Sequence, residues 1–277
     1  MSINYQNFQY IFKDDIQTVH VIRYSQLNNH NLTLLISKAS EAIKPKDPNN
    51  LVGDGSTIDG IIQSQSGIRF IINAGFNHYR KNFYSWKSQS FNVGDPVGLV
   101  KIRDAVYEDY IDINHYGFLT QKNKGDNWCI QDLTALDKDS KYILGCTPLL
   151  IFNKTAMLMP INEMTPVKEG EINPPSFLGH GLQIHPRTAV GMIDQDLVFI
   201  LVENKPDGSG GCSLPELQEI GLMLQLDSML NLDGGGSSQF RLFLDNEQVI
   251  SNYVLPEDSN TVLGHSLIIF DESLKKM

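Results

Sequence analysis

Cysteine is scarce in this 277-residue chain: only Cys129, Cys146 and Cys212 are present. An odd number without CxxC spacing argues against a disulfide framework or a zinc site. It predicts free thiols in a reducing compartment, packed as small hydrophobes. Positive charge is also in deficit, with 22 Lys and Arg against 32 Asp and Glu, for a formal net charge of −10. Such a surface repels nucleic-acid backbones, so a nucleic-acid-coating role is not expected. It still allows one small phosphate-bearing ligand held by a single arginine. No run approaches the roughly 20 apolar residues of a membrane-spanning helix. Met1–Asn7 has no basic segment leading into an apolar one, as a signal peptide would. The expected location is cytoplasmic, and a virion-associated protein would read the same way.

Several catalytic signatures are missing as well. There is no HExxH, no GxSxG elbow and no CxxC redox pair, and the seven histidines are scattered. Asp207-Gly208-Ser209-Gly210 lacks the carboxylate ladder of a calcium loop. No metal and no cofactor are expected.

Hydrophobic residues make up 41% and charged residues 19%, an ordinary globular composition. The length supports a large core, and one domain spanning 1–277, with its core at about 19–271, is expected. Short apolar runs predict strands at Val19–Tyr24, Leu32–Ser37, Ile68–Ile72, Tyr142–Phe152, Leu197–Val202, Met229–Leu232, Leu242–Leu244 and Ser266–Phe270. Several are apolar throughout, as in strands covered on both faces. The strongest helix signal is Ser213-Leu214-Pro215-Glu216, a capping box with proline in the first turn, predicting a helix to about Leu226. A weaker helix is expected over Asp54–Ser64, one turn over Leu133–Asp137, and flexible insertions at Lys44–Asn50 and Glu163–Pro175. The class is α+β: β-rich, with mixed sheets and few helices.

The segment richest in chemistry is Asn231-Leu232-Asp233-Gly234-Gly235-Gly236-Ser237-Ser238, after a short strand that follows the capped helix. Three consecutive glycines permit positive φ and close approach to a ligand, and their amides could form an anion-binding nest. Asp233 and Asn231 flank them on one side, Ser237 and Ser238 on the other. The lysine of a P-loop does not follow. A second segment, His185-Pro186-Arg187-Thr188, places an arginine where it could hold an anion bidentately. A third, Asn73-Ala74-Gly75-Phe76, ends an apolar strand on a polar amide. In a fourth, Glu203 ends the buried strand Leu197–Val202, where a catalytic acid or base could stand.

In this order, these blocks resemble the phosphodiester glycosidase domain family. Asn73-Ala74-Gly75-Phe76 is similar to its N-[AG]-G-[FY] block, and Gly145-Cys146-Thr147-Pro148-Leu149-Leu150 to its G-x-P-x-L block. Pro186 to Gly191 matches its P-R-T-A-[IV]-G, and Asn231 to Ser238 its N-L-D-G-G-G-S-S. The chain departs from the family at Glu203-Asn204-Lys205, where D-G-R is frequent. It departs again at Asn77, where a second aromatic is usual, and at His265, where an arginine often precedes the last strand. These differences bear on substrate more than on fold.

The resemblance implies hydrolysis of a sugar–phosphodiester bond at the anomeric carbon. Arg187 and the Gly234-Gly235-Gly236 amides would hold the phosphate. Asp233, and after it Glu203, would supply the carboxylate. Asn73, Gly75, Thr188, Asn231, Ser237 and Ser238 would line the substrate site. Three alternatives stand beside this: a non-catalytic phosphoglycan- or nucleotide-binding module, an enzyme acting on a nucleotide-linked sugar, and a phage or cell-surface structural protein.

Overall fold

The computed structural model describes residues 3–12, 15–26, 32–36, 58–76, 98–108, 117–158, 181–205, 209–244, 247–251 and 265–270. The first elements are β1 (Ile3–Phe12), β2 (Asp15–Tyr24), β3 (Leu32–Ile36), helix α1 (Ile58–Ser64) and β4 (Ile68–Asn73). A middle group comprises β5 (Leu99–Ile102), β6 (Ala105–Glu108), β7 (Gly117–Gln121), β8 (Trp128–Asp132) and β9 (Tyr142–Cys146). Next come β10 (Leu149–Phe152), β11 (Thr155–Ala156), β12 (Arg187–Ile193), β13 (Asp196–Val202) and helix α2 (Leu214–Met223). The last are β14 (Ser228–Asn231), β15 (Phe240–Leu244), β16 (Glu247–Ser251) and β17 (His265–Phe270).

The strands form three sheets, ordered β1-β2-β13-β12-β14-β10-β11, β16-β15-β4-β17-β3 and β6-β5-β9-β7-β8. Mixed sheets were expected, but every described pairing is antiparallel. The β-rich α+β class holds. The unbroken apolar runs reflect layering, because both faces of the central strands are covered. Along β13, Leu197, Phe199 and Leu201 face a core shared by all three sheets, while Val198, Ile200 and Val202 face α2. This is the period-two alternation of a strand with two buried sides. On the second sheet, Ile58 and Ile61 of α1 pack on Ile71 and Ile268. Buried Arg241 fixes that helix through Nε to Asp59 Oδ1 at 3.1 Å and Nη2 to Oδ2 at 3.3 Å.

The capping box forms as predicted: Ser213 Oγ accepts from the Glu216 amide at 3.4 Å, and Glu216 Oε2 accepts from the Ser213 amide at 2.6 Å. The helix stops at Met223, short of Leu226, and Gln225 beyond it takes a left-handed φ of 58°. Ser213→Ala is expected to cost about 1 kcal/mol of stability in urea unfolding, the usual loss on removing an N-cap. The Tyr142–Phe152 run divides into β9 and β10 at Thr147-Pro148, because proline has no amide for the ladder. The expected turn after β8 is a loop closed on Asp132 Oδ1, which accepts from Thr134 Oγ1 and the Ala135 amide, both at 2.8 Å. Of the weaker helix, Ile58–Ser64 forms; Asp54 to Thr57 and both expected flexible insertions lie outside the described residues. All three cysteines are free thiols, with Cys146 and Cys212 buried. No helix among the described residues is long and apolar enough to cross a membrane.

Candidate functional site

Three strand ends meet where the first and second sheets touch: Asn73 closing β4, Arg187 and Thr188 opening β12, and Asn231 closing β14. Asn73 joins them. Its Nδ2 donates to the Asp233 carbonyl at 2.7 Å, and its Oδ1 accepts from Thr188 Oγ1 at 3.0 Å and from the Gln239 amide at 3.1 Å. Backbone bonds tighten the junction, Leu232 donating to the Thr188 carbonyl and Asp233 to the Ala74 carbonyl, both at 2.9 Å. Asn73 and Thr188, expected to line the substrate site, are bonded to each other and to the Asp233 loop. The pair forms the buried joint behind the Asp233 loop.

That loop leaves β14 at Leu232 and turns through a 3-10 turn at Gly235–Ser237. Gly235 has φ 58°, and a Cβ there would meet no atom within 4 Å, so its face of the loop is open among the described residues. The expected anion nest is corrected by the hydrogen bonds. The Gly234 amide donates to Asp233 Oδ1 at 3.0 Å and the Gly235 amide to the Pro186 carbonyl at 2.8 Å. The Ser237 and Ser238 amides donate to the carbonyls of Gly234 and Gly235. The glycines thus close the loop onto its own carboxylate, with the Gly236 amide the remaining nest member. Asp233 is only 6% exposed.

Arg187 lies directly beneath Gly234: a Cβ on that glycine would stand 3.8 Å from Arg187 Nη1 and 3.0 Å from the Pro186 carbonyl oxygen. The guanidinium is buried and aimed by Nε to the Cys212 carbonyl at 2.9 Å and Nη2 to the Gln183 carbonyl at 2.8 Å. Burial lowers its pKa, with nearby Cys212 and Glu216 opposing. Cys212 is presented by a bridge to His185, with backbone bonds of 3.3 and 2.8 Å. Gly211 makes that approach feasible. Its φ is 109°, and a Cβ would fall 2.0 Å from the His185 carbonyl carbon and oxygen. The His185 imidazole bonds Gln183 Oε1 at 2.9 Å.

Glu203 lies away from this cluster. It follows Val202, the register partner of Arg187, and its amide donates to the Thr18 carbonyl at 3.0 Å. β12 stands between β13 and β14, so the backbones carrying Glu203 and Asp233 are about 10 Å apart, two strand spacings. Glu203 Oε1 lies 3.1 Å from His20 Nε2, a close approach without hydrogen-bond geometry that the sequence reading missed although His20 interrupts the apolar run Val19–Tyr24. The rest of the divergent block is held locally: Asn204 Oδ1 accepts from the Lys205 and Gly210 amides, and Lys205 Nζ pairs with Asp15.

Cys146, under the loop, has its thiol pKa pushed up by burial and then by the Asp233 charge, with a bond to the Phe76 backbone opposing. A thiol so raised is no nucleophile. Gly75 is buried beside Ala74, while Asn77 and the side chain of His265 lie outside the described residues. Asn231 Nδ2 donates to the Thr147 carbonyl at 2.9 Å. Its Oδ1, Ser238 Oγ and Gln239 Nε2 are buried and have no partner among the described residues. Each such orphan costs about 1–3 kcal/mol, so three around one loop mark a place completed by ligand or ordered water. Gln239 carried no signal in the sequence beyond following the two serines. No group of three or more His, Cys, Asp or Glu able to hold a metal occurs among the described residues.

The same architecture occurs in solved structures. The catalytic domain of zebrafish N-acetylglucosamine-1-phosphodiester alpha-N-acetylglucosaminidase, auto-inhibited by its pro-peptide, superposes with a TM-score of 0.65 at 15% identity, over 98% of this chain and 83% of that one. A hypothetical protein from Synechocystis gives 0.56 at 14% identity over 97% and 62%. A Burkholderia pseudomallei protein gives 0.53 at 14% over 92% and 74%. At these identities the likeness is one of fold. Among curated proteins no sequence match is found. The family description of phosphodiester glycosidases matches residues 66–269, taking in the Asn73, Arg187, Glu203 and Asp233 segments. The chain belongs to the phosphodiester glycosidase family.

Proposed function

We propose that this protein hydrolyses the bond between an anomeric carbon and phosphate in a sugar-1-phosphodiester, including nucleotide-linked sugars. One observation carries the reading. The buried Arg187 guanidinium and the buried Asp233 carboxylate flank the same glycine, Gly234, at the mouth of a loop whose outer face is open. Cleavage at an anomeric carbon passes through an oxocarbenium-like cation while a phosphate monoester departs. Arg187 neutralises the departing phosphate, which reduces the need for a strong general acid. Asp233 stabilises the cation or activates water, and Glu203 is the second carboxylate in reserve. Asn231 Oδ1 and Ser238 Oγ, lacking protein partners among the described residues, orient sugar hydroxyls. The Gly236 amide and Ser237 complete the phosphate side, while Asn73, Gly75 and Thr188 shape the floor.

The test is mass-spectrometric product analysis with UDP-N-acetylglucosamine, methyl N-acetylglucosamine-1-phosphate and other sugar-1-phosphodiesters. Release of free sugar and a phosphomonoester supports the reading. Thermal stabilisation by these compounds without turnover would make the protein a binding module instead. Arg187→Lys separates binding from chemistry, because one ammonium cannot reproduce the fork held by Cys212 and Gln183. KM for a phosphodiester is expected to rise about tenfold or more, with rates on a phosphate-free p-nitrophenyl glycoside little changed. Equal losses on both substrates would remove Arg187 from the phosphate role.

A further inference from the structure

The Cys212 carbonyl that aims Arg187 Nε ends a short strap, Gly210-Gly211-Cys212, between β13 and α2. Each amide of the strap has its own acceptor. Gly210 donates to Asn204 Oδ1 at 2.8 Å, Gly211 to Gln17 Oε1 at 2.9 Å, and Cys212 to the His185 carbonyl at 2.8 Å. The following amide, that of Ser213, belongs to the capping box of α2. Two of the strap's acceptors, Asn204 and Gln17, are side chains. Strand pairing brings them together: Val202 of β13 pairs with Val19 of β2, and the Glu203 amide donates to the Thr18 carbonyl. The chain leaving β13 at Asn204 therefore runs level with Gln17, which is only 3% exposed.

The orientation of both side-chain amides follows from what their partners can do. Gln17 Nε2 donates to Asp15 Oδ2 at 2.7 Å; a carboxylate only accepts, so Oε1 is the end turned to Gly211. Asn204 Oδ1 also takes the Lys205 amide at 3.0 Å, and two backbone donors require an oxygen there. Lys205 Nζ pairs with Asp15 and closes the circuit from Asp15 through Gln17, the strap and Asn204. The strap has no room to slide within it. A Cβ on Gly210 would fall 2.2 Å from the Lys205 amide nitrogen, and Gly211 abuts the His185 carbonyl on the other side. A carbonyl clamped in this way keeps one direction, and so does the arginine fork bonded to it. Without the two side-chain acceptors, the Gly210 and Gly211 amides must turn towards water, because a buried N–H does not stay unpaired.

We propose that Asn204 and Gln17 are positioning residues for Arg187: they fix the strap whose Cys212 carbonyl sets the direction in which the guanidinium meets a phosphate. Phosphate oxygens and a planar fork reward alignment as well as charge, so a small swing of the strap weakens the contact without removing the cation. Both residues act through two backbone amides and one carbonyl. They serve the phosphate half of the substrate, while the Asp233 loop serves the sugar half. The kinetic part of this proposal rests on the hydrolytic reading above; the aiming of Arg187 does not.

Two measurements test it, both on the full chain. The first needs no turnover. The Arg187 Nε–H resonance, identified by its absence in Arg187→Lys, should exchange slowly with solvent. Asn204→Ala and Gln17→Met each remove one acceptor and should speed that exchange about tenfold or more. The Leu217 amide, bonded to the Ser213 carbonyl inside α2, should keep its protection. Asn204→Asp retains the oxygen acceptor and should stay near the wild type. Unchanged exchange in both acceptor-removing variants would overturn the proposal. Equal acceleration in Asn204→Asp, or lost protection at Leu217, would reduce the two residues to packing and overturn it as well. The second measurement is kinetic. With UDP-N-acetylglucosamine, Asn204→Ala should raise KM about 3- to 10-fold at nearly constant kcat, the worth of one hydrogen bond, and Asn204→Asp should restore it. A loss of the same size on the phosphate-free p-nitrophenyl glycoside would sink the link to phosphate. If the wild-type protein releases no sugar from any phosphodiester, the hydrolytic reading fails, and the exchange result still decides whether the strap aims Arg187.

Discussion

Asp233→Asn is expected to lower turnover at least about a hundredfold while leaving the protein folded. The separation of effects follows from the bonds at this residue. Its amide and carbonyl are held by Ala74 and Asn73, and neither contact involves the side chain. The side-chain contact that closes the loop, from the Gly234 amide to Oδ1, needs only an acceptor, and an asparagine oxygen supplies one. The substitution removes the negative charge, the property that a cationic transition state or an attacking water requires. Turnover should be followed by product analysis and folding by circular dichroism and urea unfolding. Near-normal turnover with an intact fold would take Asp233 out of the catalytic role and move attention to Glu203.

Asn73→Ala should be the most destabilising single change at the site. It strands three groups at once: the Asp233 carbonyl, the Gln239 amide and the Thr188 hydroxyl, in a place where Asn73 itself is only 1% exposed. Buried groups left without partners cost about 1–3 kcal/mol each, so a loss of about 3–9 kcal/mol in urea unfolding is expected. Activity should fall with it, because the Asp233 backbone loses the bond that ties it to β4. A loss under about 1 kcal/mol would mean that water or neighbouring side chains replace the amide, and that Asn73 is not the joint between the sheets.

Much of this architecture was legible in residue order. The capped helix was read from four consecutive residues, because a capping box is satisfied within one helical turn. The β13 strand and the loop after β14 were equally plain: a fully apolar run and a triple glycine each depend on near neighbours. Other elements were hidden. β1 alternates polar and aromatic residues without an apolar run, and it pairs along its length with β2 at the edge of its sheet. β7 is short and bounded by Gly117, where a Cβ would fall 2.6 Å from Leu230 Cδ1, so it is recognised only once its neighbours are in place. The split of β9 from β10 was signalled by Pro148, but the apolar run on either side masked it.

The identity of the site's residue types was local information, and their jobs were not. A triple glycine beside an aspartate, an arginine between proline and threonine, and an amide ending a strand all announce themselves within a few positions. What each one does depends on partners far along the chain. Asn73 bonds residues 115, 160 and 166 positions away, and these bonds make it a joint between the sheets. The glycine amides proved to be directed at Asp233 and Pro186, so the expected nest became a clasp. Glu203 comes beside His20 only because β2 and β13 pair in register. Torsional freedom and capping act over a single turn and are written in neighbouring residues. Hydrogen-bond partnership and burial arise when distant strands pack, so the tertiary structure alone decided which polar groups remain for a substrate.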